Sequence, residues 1–457
     1  MTSNTNNNAT VTIGNMPLRG KSYWIVAVSS MEQIIGAGLS TLVGVMIPMI
    51  GLLHHAQLSP VMQGVLGAAG LIGIAVGSPV IGKLSDKHGY LAWFRLCPLL
   101  IIAGALIGWM AGSVAMLAVG LFVAGIGVGG GYSLDSAYID ELLPDKWQLV
   151  MVGAAKGACA IGFIGVALLC WWILDADPNP AIWNKLMLIL AAMAALTFLM
   201  RIHWAESPKW LLAKGKVQEA QKAVETFYGK GVALSAEEIA KAKAPKQQED
   251  VSWASMLKGD NLRKAILCGI PWACEGLGVY GFGVFLPVLV MALGIESSTA
   301  VGIHKIVNSV EVTALVNFFI LPGFILGLLL MRKASHIRML WLGFVISAAG
   351  LLLLYCGYAL HWEHWVLILG FIIFELALNA GPHLVTFILP SQVYPISDRG
   401  TGSGLAAMTG KIGAVVGVVV MPLLLDAGGA KLVLIVSIAV MLLGAAVAIA
   451  FRSELNR

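Results

Sequence analysis

The sequence predicts an all-α integral membrane protein with about twelve transmembrane helices in two pseudo-symmetric six-helix bundles. Hydrophobic residues make up 58% of the 457 residues and charged residues only 12%, whereas an ordinary soluble domain contains about 25% charged residues. Apolar runs of roughly 20 residues, the length that crosses about 30 Å of hydrocarbon, recur along nearly the whole chain. One long polar segment divides these runs into six and six.

The apolar runs define the order of the predicted spans. They lie near 23–52, 60–82, 92–112, 115–141, 148–174, 182–204, 263–293, 304–331, 338–360, 364–390, 400–426 and 431–451. The chain therefore divides into a polar tail at 1–22, a first bundle at 23–204, a loop at 205–262, a second bundle at 263–451 and a short tail at 452–457. Within the loop, Leu211, Val217 and Val224 are spaced as on one helix face among Lys and Glu, which predicts amphipathic helices.

The distribution of basic residues predicts the orientation. Lys and Arg collect in alternate loops, for example at Lys83, Lys87 and Arg95. Because an excess of Lys and Arg marks the cytoplasmic side, we expect both termini and the 205–262 loop in the cytoplasm, at a plasma or inner membrane. Basic loops beside an anionic leaflet account for the net charge of +5, so no nucleic-acid partner is expected. The six cysteines have no CxxC spacing, and neither a disulfide nor a metal site is predicted.

Polar residues within the spans indicate where function lies. Glu375, Asn379 and His383 occur at i, i+4 and i+8, so they share one face of an otherwise apolar helix. A charged group facing lipid costs several kcal/mol, so this face is expected to look into the protein interior or a wet cavity. Polar groups at membrane depth typically mark the path of a transported solute.

An internal repeat supports the division into two halves. Glu141-Leu-Leu-Pro144 follows the fourth span, and Gln392-Val-Tyr-Pro395 follows the tenth with the same spacing. Two homologous halves around a site near the midplane are typical of secondary transporters. Ile412 follows Gly410-Lys411 where a phosphate-binding loop needs Ser or Thr, so no nucleotide cofactor is expected and an ion gradient is the expected energy source. No nucleophile with its base is assembled, and the sequence does not predict an enzyme.

Three stretches resemble a known family. The loop from Gly82 to Gly89 resembles the signature loop of the major facilitator superfamily, and Ala205-Glu206-Ser207-Pro208 resembles the segment after the sixth span of sugar porters. The stretch from Gly381 to Lys411 is similar to the tenth and eleventh spans of phosphate:proton symporters in that superfamily. The resemblance implies a secondary active transporter whose two halves rock around a central site.

The signature loop also has a physical interpretation. Gly82 and Gly89 allow a tight turn between closely packed helices. Asp86 is expected at the N-terminus of a neighbouring helix, where a carboxylate is stabilised by roughly 0.3–1 kcal/mol. With Glu141 and Arg399, these residues form the expected gate.

The resemblance implies a substrate site, but the match is mixed. Tyr132, Trp272, Tyr280 and Lys411 stand where phosphate symporters have the same residue types, whereas His383 replaces an asparagine. The glutamines typical of sugar porters are missing from the fifth and seventh spans. The residues expected to contact substrate are Tyr132, Lys156, Trp272, Glu275, Tyr280, Asn379 and His383.

The ionisable residues favour a small anionic metabolite as the substrate. A desolvated cation such as Lys156 is costly unless an anion pairs with it. That anion is either a ligand or a buried Glu of the protein itself. Carboxyl groups at membrane depth can exchange protons as access alternates, so proton-coupled symport is expected. The expected coupling residues are Glu32, Glu275, Glu375 and Lys411. The alternatives are a sugar or polyol:proton symporter and an exporter of amphiphilic compounds.

The expected partners follow from this interpretation. They are a small-molecule substrate, a coupling ion and the lipid bilayer. The chain is expected to work as a monomer, without a cofactor.

Overall fold

The computed structural model describes residues 13–14, 16–53, 58–229, 232–234, 239–240, 256–295, 301–331, 333–394 and 399–455. Thirteen helices account for nearly all of this part of the chain. They are α1 (Gly20–Leu53), α2 (Pro60–His88), α3 (Tyr90–Trp109), α4 (Val114–Leu142), α5 (Asp145–Ala176), α6 (Pro180–Met200), α7 (Pro208–Ala213), α8 (Val217–Tyr228), α9 (Gly259–Ala292), α10 (Ile303–Leu330), α11 (His336–Ala359), α12 (His364–Val393) and α13 (Arg399–Ala450). A short 3-10 turn, Arg452–Leu455, follows.

Eleven of these helices are long and apolar enough to cross a membrane: α1 to α6 and α9 to α13. The backbone of α13 is non-helical at Gly428 and Gly429, so this helix contains two consecutive spans. The prediction of an all-α protein with about twelve spans is therefore confirmed. Features predicted at 1–12 and at Pro395 lie outside the described residues.

The helices pack as two groups. In the first group α4 packs against α2 and α3, and α1 packs against α5; in the second, α9 packs against α13, and α11 against α12. The most extensive contacts between the groups are those of α1 with α9, α2 with α13 and α5 with α10. The first helices of the two halves thus face each other, and the second span of each half faces the fifth span of the other.

Close packing of α2 on α4 depends on glycine. A Cβ atom on Gly73 would overlap the carbonyl oxygen of Phe122, and one on Gly125 would overlap the carbonyl oxygen of Gly70. The Gly125-Ile-Gly127 stretch, which matches a dinucleotide-binding pattern, is therefore a helix contact in the first bundle.

The end of the molecule farthest from α7 and α8 is closed by contacts between the halves. A Cβ atom on Gly44 of α1 would overlap the carbonyl oxygen of Val284 in α9. On α2, a Cβ atom on Gly64 would lie 3.0 Å from the carbonyl oxygen of Val419 in α13. At both positions backbone meets backbone, so even a methyl group would force the halves apart.

The polar loop contains two helices that lie against the first bundle. Phe227 of α8 packs edge-on against Trp204, with ring centroids 5.1 Å apart. The hydroxyl of Tyr228 donates to the carbonyl of Leu142 at the end of α4. In α7, the indole nitrogen of Trp210 donates to the carbonyl of Asp86 at 2.9 Å. These contacts tie the loop to the ends of α2 and α4.

We expect Gly44→Ala to lower the free energy of unfolding by about 1–3 kcal/mol, because the added methyl overlaps backbone that cannot yield. Gly51→Ala on the same helix is the matched control, since no atom lies within 4 Å of the added methyl. Unfolding of both variants in detergent measures the difference. Equal effects of the two substitutions would contradict the close approach of α1 to α9.

Candidate functional site

A cavity of about 790 Å³ lies between the two halves. Its walls come from α1, α2, α4 and α5 on one side and from α9, α12 and α13 on the other. The lining residues belong to the parts of these helices nearest α7 and α8, whereas the opposite end is closed at Gly44 and Gly64. Small-molecule sites typically occupy about 300–1,000 Å³. The cavity therefore has the size and central position of a substrate site reached from one end.

Six of the residues singled out from the sequence line this cavity. They are Tyr132, Lys156, Trp272, Glu275, Tyr280 and Lys411. Tyr132 and Lys156 come from the first half, and the other four come from the second. Each half thus contributes a lysine and at least one aromatic residue to the same space.

Two lysines face the cavity without a carboxylate bound directly to them. The Nζ atom of Lys411 lies 3.5 Å from the hydroxyl of Tyr280 and 5.4 and 5.0 Å from the ring centroids of Tyr132 and Tyr280. The ammonium of Lys156 has no hydrogen bond or ion pair with any residue that the structure describes. Aromatic faces stabilise a cation only weakly compared with an anion, so both charges remain available to a ligand.

Glu275 is a carboxylate that lines the same cavity as these lysines. Its Oε1 atom lies 3.6 Å from Nδ1 of His383, and that nitrogen is also 3.0 Å from Oδ1 of Asn379. The amide of Asn379 donates to Glu375 Oε2 at 3.0 Å. Because the Asn379 oxygen can only accept, Nδ1 of His383 carries a hydrogen. A chain of polar groups therefore runs from the cavity wall into the second bundle.

The residues of this chain lie at different depths. Asn379, His383 and Glu375 are buried and do not line the cavity, and the ring of His383 packs on Phe324 with centroids 5.0 Å apart. The structure thus places them behind Glu275, where they can orient its carboxylate without touching a ligand in the cavity.

The backbone of α9 helps to position the site. Residues Leu277–Phe282 form a π-helical turn directly after Glu275, and such turns are frequent at functional sites. A Cβ atom on Gly276 would lie 2.5 Å from the carbonyl oxygen of Gly410, and one on Gly410 would lie 2.6 Å from the ring of Trp272. The two glycines let α9 and α13 approach closely enough to place Glu275 and Lys411 on one wall.

Glu32 belongs to a separate buried network that sequence reasoning did not find. Arg201, which follows α6, donates to both carboxylate oxygens of Glu32, one of them at 2.6 Å, and to Oδ1 of Asp135 at 3.3 Å. Its guanidinium stacks on Phe94 at 3.5 Å from the ring centroid. The side chains of Glu32 and Arg201 are 0% exposed. Asp135 lines the cavity, whereas Glu32 does not.

Glycine at position 131 explains the position of Glu32. Any side chain at this position would overlap the side chain of Glu32. Gly131 therefore makes room for the Glu32–Arg201 pair. The signal for this network in the sequence is one arginine at the end of an apolar span, and only the fold shows its two partners.

The expected gate residues lie beside the polar loop, with one difference from the expectation. Glu206 rather than Asp86 caps a helix, since its Oε1 accepts from the backbone nitrogens of Tyr90 and Leu91 at 2.8 and 3.1 Å. Asp86 instead accepts from the hydroxyl of Tyr90 at 3.2 Å. Gly89 makes the turn with φ +103°, a conformation that favours glycine.

The remaining gate residues complete this contact. Gly82 has only Ser133 within 4 Å of an added Cβ, at 3.6 Å. Glu141 accepts hydrogen bonds from the hydroxyl of Ser207 and from the backbone nitrogen of Lys209. The side chain of Arg399 lies outside the described part of the chain.

We expect Arg201→Met to destabilise the protein by about 3–5 kcal/mol, because it leaves Glu32 and Asp135 as buried carboxylates without a counter-charge. Lys216→Met is the matched control, since it breaks only the exposed pair with Glu219 and should change stability by at most about 1 kcal/mol. Thermal or denaturant unfolding in detergent measures both. A small effect at Arg201 would show that the buried network is not needed for stability.

Comparison with known proteins is consistent with this geometry. A family model described as "Sugar (and other) transporter" matches residues 21–456. The inner membrane metabolite transport protein YgcS of Escherichia coli is 26% identical over 389 residues, which is 85% of this chain and 82% of that protein. The repressible high-affinity phosphate permease of Neurospora crassa is 25% identical over 387 residues, which is 76% of this chain and 67% of that protein.

A solved structure shows the same fold. The xylose transporter XylE of Escherichia coli, in a partially occluded inward-open conformation, superimposes with a TM-score of 0.77 at 15% identity, covering 94% of this chain and 97% of that one. With its eleven apolar helices, this chain is a multi-pass integral membrane protein. It belongs to the sugar (and other) transporter family of the major facilitator superfamily, and both its family and its fold are those of transporters rather than enzymes.

Proposed function

We propose that this transporter carries a small anionic metabolite together with protons by alternating access. The observation that supports it is the charge of the central cavity. Lys156 and Lys411 both line it, and neither has a direct ion pair with a carboxylate of the described residues. The acids of the described wall are Glu275, which lies 3.6 Å from His383, and Asp135, which lies 3.3 Å from Arg201, a residue that also pairs with Glu32.

The free-energy cost of removing these lysine side chains from water favours an anionic ligand. A cation removed from bulk water is costly unless an anion compensates it. Lys156 has no direct ion pair with a described residue, and Lys411 has a tyrosine hydroxyl and two aromatic rings as neighbours. An anion that reaches both ammonium groups would supply the missing charge and bridge the two halves.

The same arrangement couples the anion to a proton. Glu275 and an anionic substrate compete for the same two lysines. When the substrate carboxylate or phosphate takes the lysines, the Glu275 carboxylate loses its counter-charges and is favoured in its neutral, protonated form. Substrate and proton therefore bind together and leave together, which is symport. Glu375 and His383 support the carboxyl of Glu275 from behind.

The direction of access follows from the orientation that loop charge favours. The cavity lies toward the end that holds α7 and α8, and the basic loops favour the cytoplasm for that end. The structure then represents the inward-open form at a plasma or inner membrane, with the protein working as a monomer. Rocking of the halves would open the contacts at Gly44 and Gly64.

A sugar:proton symporter is the second candidate. The likeness in fold to XylE, which is described as a proton:xylose symporter, favours it. Ligand binding to purified protein separates the two candidates, because a neutral sugar does not need Lys156.

We expect Lys156→Gln to abolish the stabilisation of the purified protein by small anions. A ligand at 100 times its Kd raises the free energy of unfolding by about 2.7 kcal/mol if it binds only the folded state. Thermal unfolding with benzoate, phosphate and D-xylose measures this shift. The exposed Lys185→Gln is the matched control and should respond like the wild type. Stabilisation by xylose alone, or an unchanged response of Lys156→Gln, would overturn anion binding at this site.

We expect anion affinity to fall as pH rises, because binding favours protonated Glu275 and protonation becomes more costly at high pH. Glu275→Gln mimics the protonated form, so the affinity of this variant for the anion should not change as the pH rises. Isothermal titration in buffers of different ionisation enthalpy counts the protons taken up on binding. In proteoliposomes, Glu275→Gln should exchange substrate but not accumulate it when a proton gradient is applied. If the variant keeps the pH dependence, another residue carries the proton.

A further inference from the structure

We infer that the transported anion is an organic carboxylate with a flat, apolar body, such as an aromatic or heteroaromatic acid. This inference rests on the proposed anion transport and adds the chemical class of the substrate. Three features of the cavity support it: the placement of its cations, the use of its serine hydroxyls and the shape of its aromatic wall.

Both cavity lysines face the same ligand space. Lys411 lies within 5.4 Å of the ring centroids of both Tyr132 and Tyr280, and Lys156 lines the same cavity from the other half of the molecule. A ligand with one anionic end and an uncharged remainder matches this distribution.

The serine hydroxyls of the cavity wall already donate to acceptors within the protein, so they are not free for a polyol or for the oxygens of phosphate. The hydroxyl of Ser78 donates to the carbonyl of Gly129 at 2.7 Å, and that of Ser133 donates to the carbonyl of Ser78 at 2.9 Å. Ser136 donates to the carbonyl of Tyr132 at 3.4 Å. These three serines line the cavity, but their hydrogens are already used. A site for many hydroxyl groups would need free amides or hydroxyls in their place.

Other neutral groups of the described wall can contact polar atoms of a ligand. On α1, the hydroxyl of Ser29 and the side-chain oxygen of Gln33 have no hydrogen-bond partner among the described residues, and they could contact a ring nitrogen or hydroxyl of the ligand. The phenol groups of Tyr132 and Tyr280 lie beside Lys411 and can donate to the anionic end of the same ligand.

The rest of the wall is apolar and partly aromatic. Trp272 and Phe387 meet edge to face, with centroids 6.2 Å apart and an interplanar angle of 81°. Both rings line the cavity, so they form a corner in which a flat ring can stack on one and meet the edge of the other. Aliphatic side chains cover much of the remaining surface, including Ile72, Val76, Ile139, Met408, Ile412 and Val415.

Binding follows from these parts in combination. The carboxylate of the ligand pairs with Lys156 and Lys411, while its ring leaves water for the corner between Trp272 and Phe387. Burial of apolar surface favours a ligand whose body is hydrocarbon and disfavours one that must give up bound water. Planarity adds selectivity, because a flat aromatic ring contacts the indole face over its whole area and also gains the offset-stacking interaction.

The test compares four probes on the purified full-length protein: benzoate, cyclohexanecarboxylate, inorganic phosphate and D-xylose. Benzoate and cyclohexanecarboxylate share their charge and nearly share their size, but only benzoate is flat. We expect benzoate to bind about 2- to 10-fold more tightly than cyclohexanecarboxylate, as measured by thermal unfolding and isothermal titration. Phosphate and xylose should bind more weakly than either carboxylate.

Two variants test the role of the aromatic corner. Trp272→Leu should remove the preference for benzoate over cyclohexanecarboxylate but keep a response to both, whereas Trp272→Phe should retain part of the preference. Trp365→Leu is the matched control, because this tryptophan is 65% exposed and does not line the cavity. A retained response to carboxylates shows that Trp272→Leu is folded.

The outcomes separate this inference from the proposed function. Tighter binding of phosphate than of benzoate would contradict the inference that the substrate is an organic carboxylate, but it would still agree with the proposed transport of an anion. Equal affinity for benzoate and cyclohexanecarboxylate would contradict the inference that the substrate has a flat body. Binding of xylose alone, or no binding of any carboxylate, would overturn both the inference and the proposed anion transport.

Discussion

The constraint on which the structure depends is that a charge buried between membrane helices needs a counter-charge. Arg201 meets it through Glu32, with Asp135 at 3.3 Å from the guanidinium and Phe94 stacked beneath it. Lys156 has no direct ion pair within the described protein. The first arrangement ties α1 and α4 to the end of α6. The second leaves a positive charge in a cavity, and we propose that the transported anion completes it.

Glycine at the contacts between helices allows the molecule to have a sealed end and a cavity wall shared by α9 and α13. Close approach of α1 to α9 at Gly44 seals one end, and close approach of α9 to α13 at Gly276 and Gly410 places Glu275 and Lys411 on one wall. At Gly44 the backbones of the two halves meet, so the packing is tight but has few side chains to rearrange. Such a contact suits surfaces that must separate and meet again as the halves rock.

The signature loop shows how one structural task can pass to another residue. The sequence predicts that Asp86 of this loop caps a helix, yet Glu206 of the loop after α6 caps α3. The carboxylate is thus supplied from a part of the chain that is distant in sequence. A motif in one segment therefore predicts that a contact exists more reliably than it predicts which residue makes the contact.

The sequence by itself determined the all-α membrane fold, its approximate number of spans and the residue types of the site, because hydrocarbon thickness and the cost of buried charge act on each segment separately. It could not show that Lys156 and Lys411 share a cavity, that His383 stands behind Glu275 or that Arg201 joins Glu32. Those facts depend on which helices pack together and how each is rotated. Packing and rotation are decided by contacts between segments far apart in the chain, so only the tertiary structure contains them.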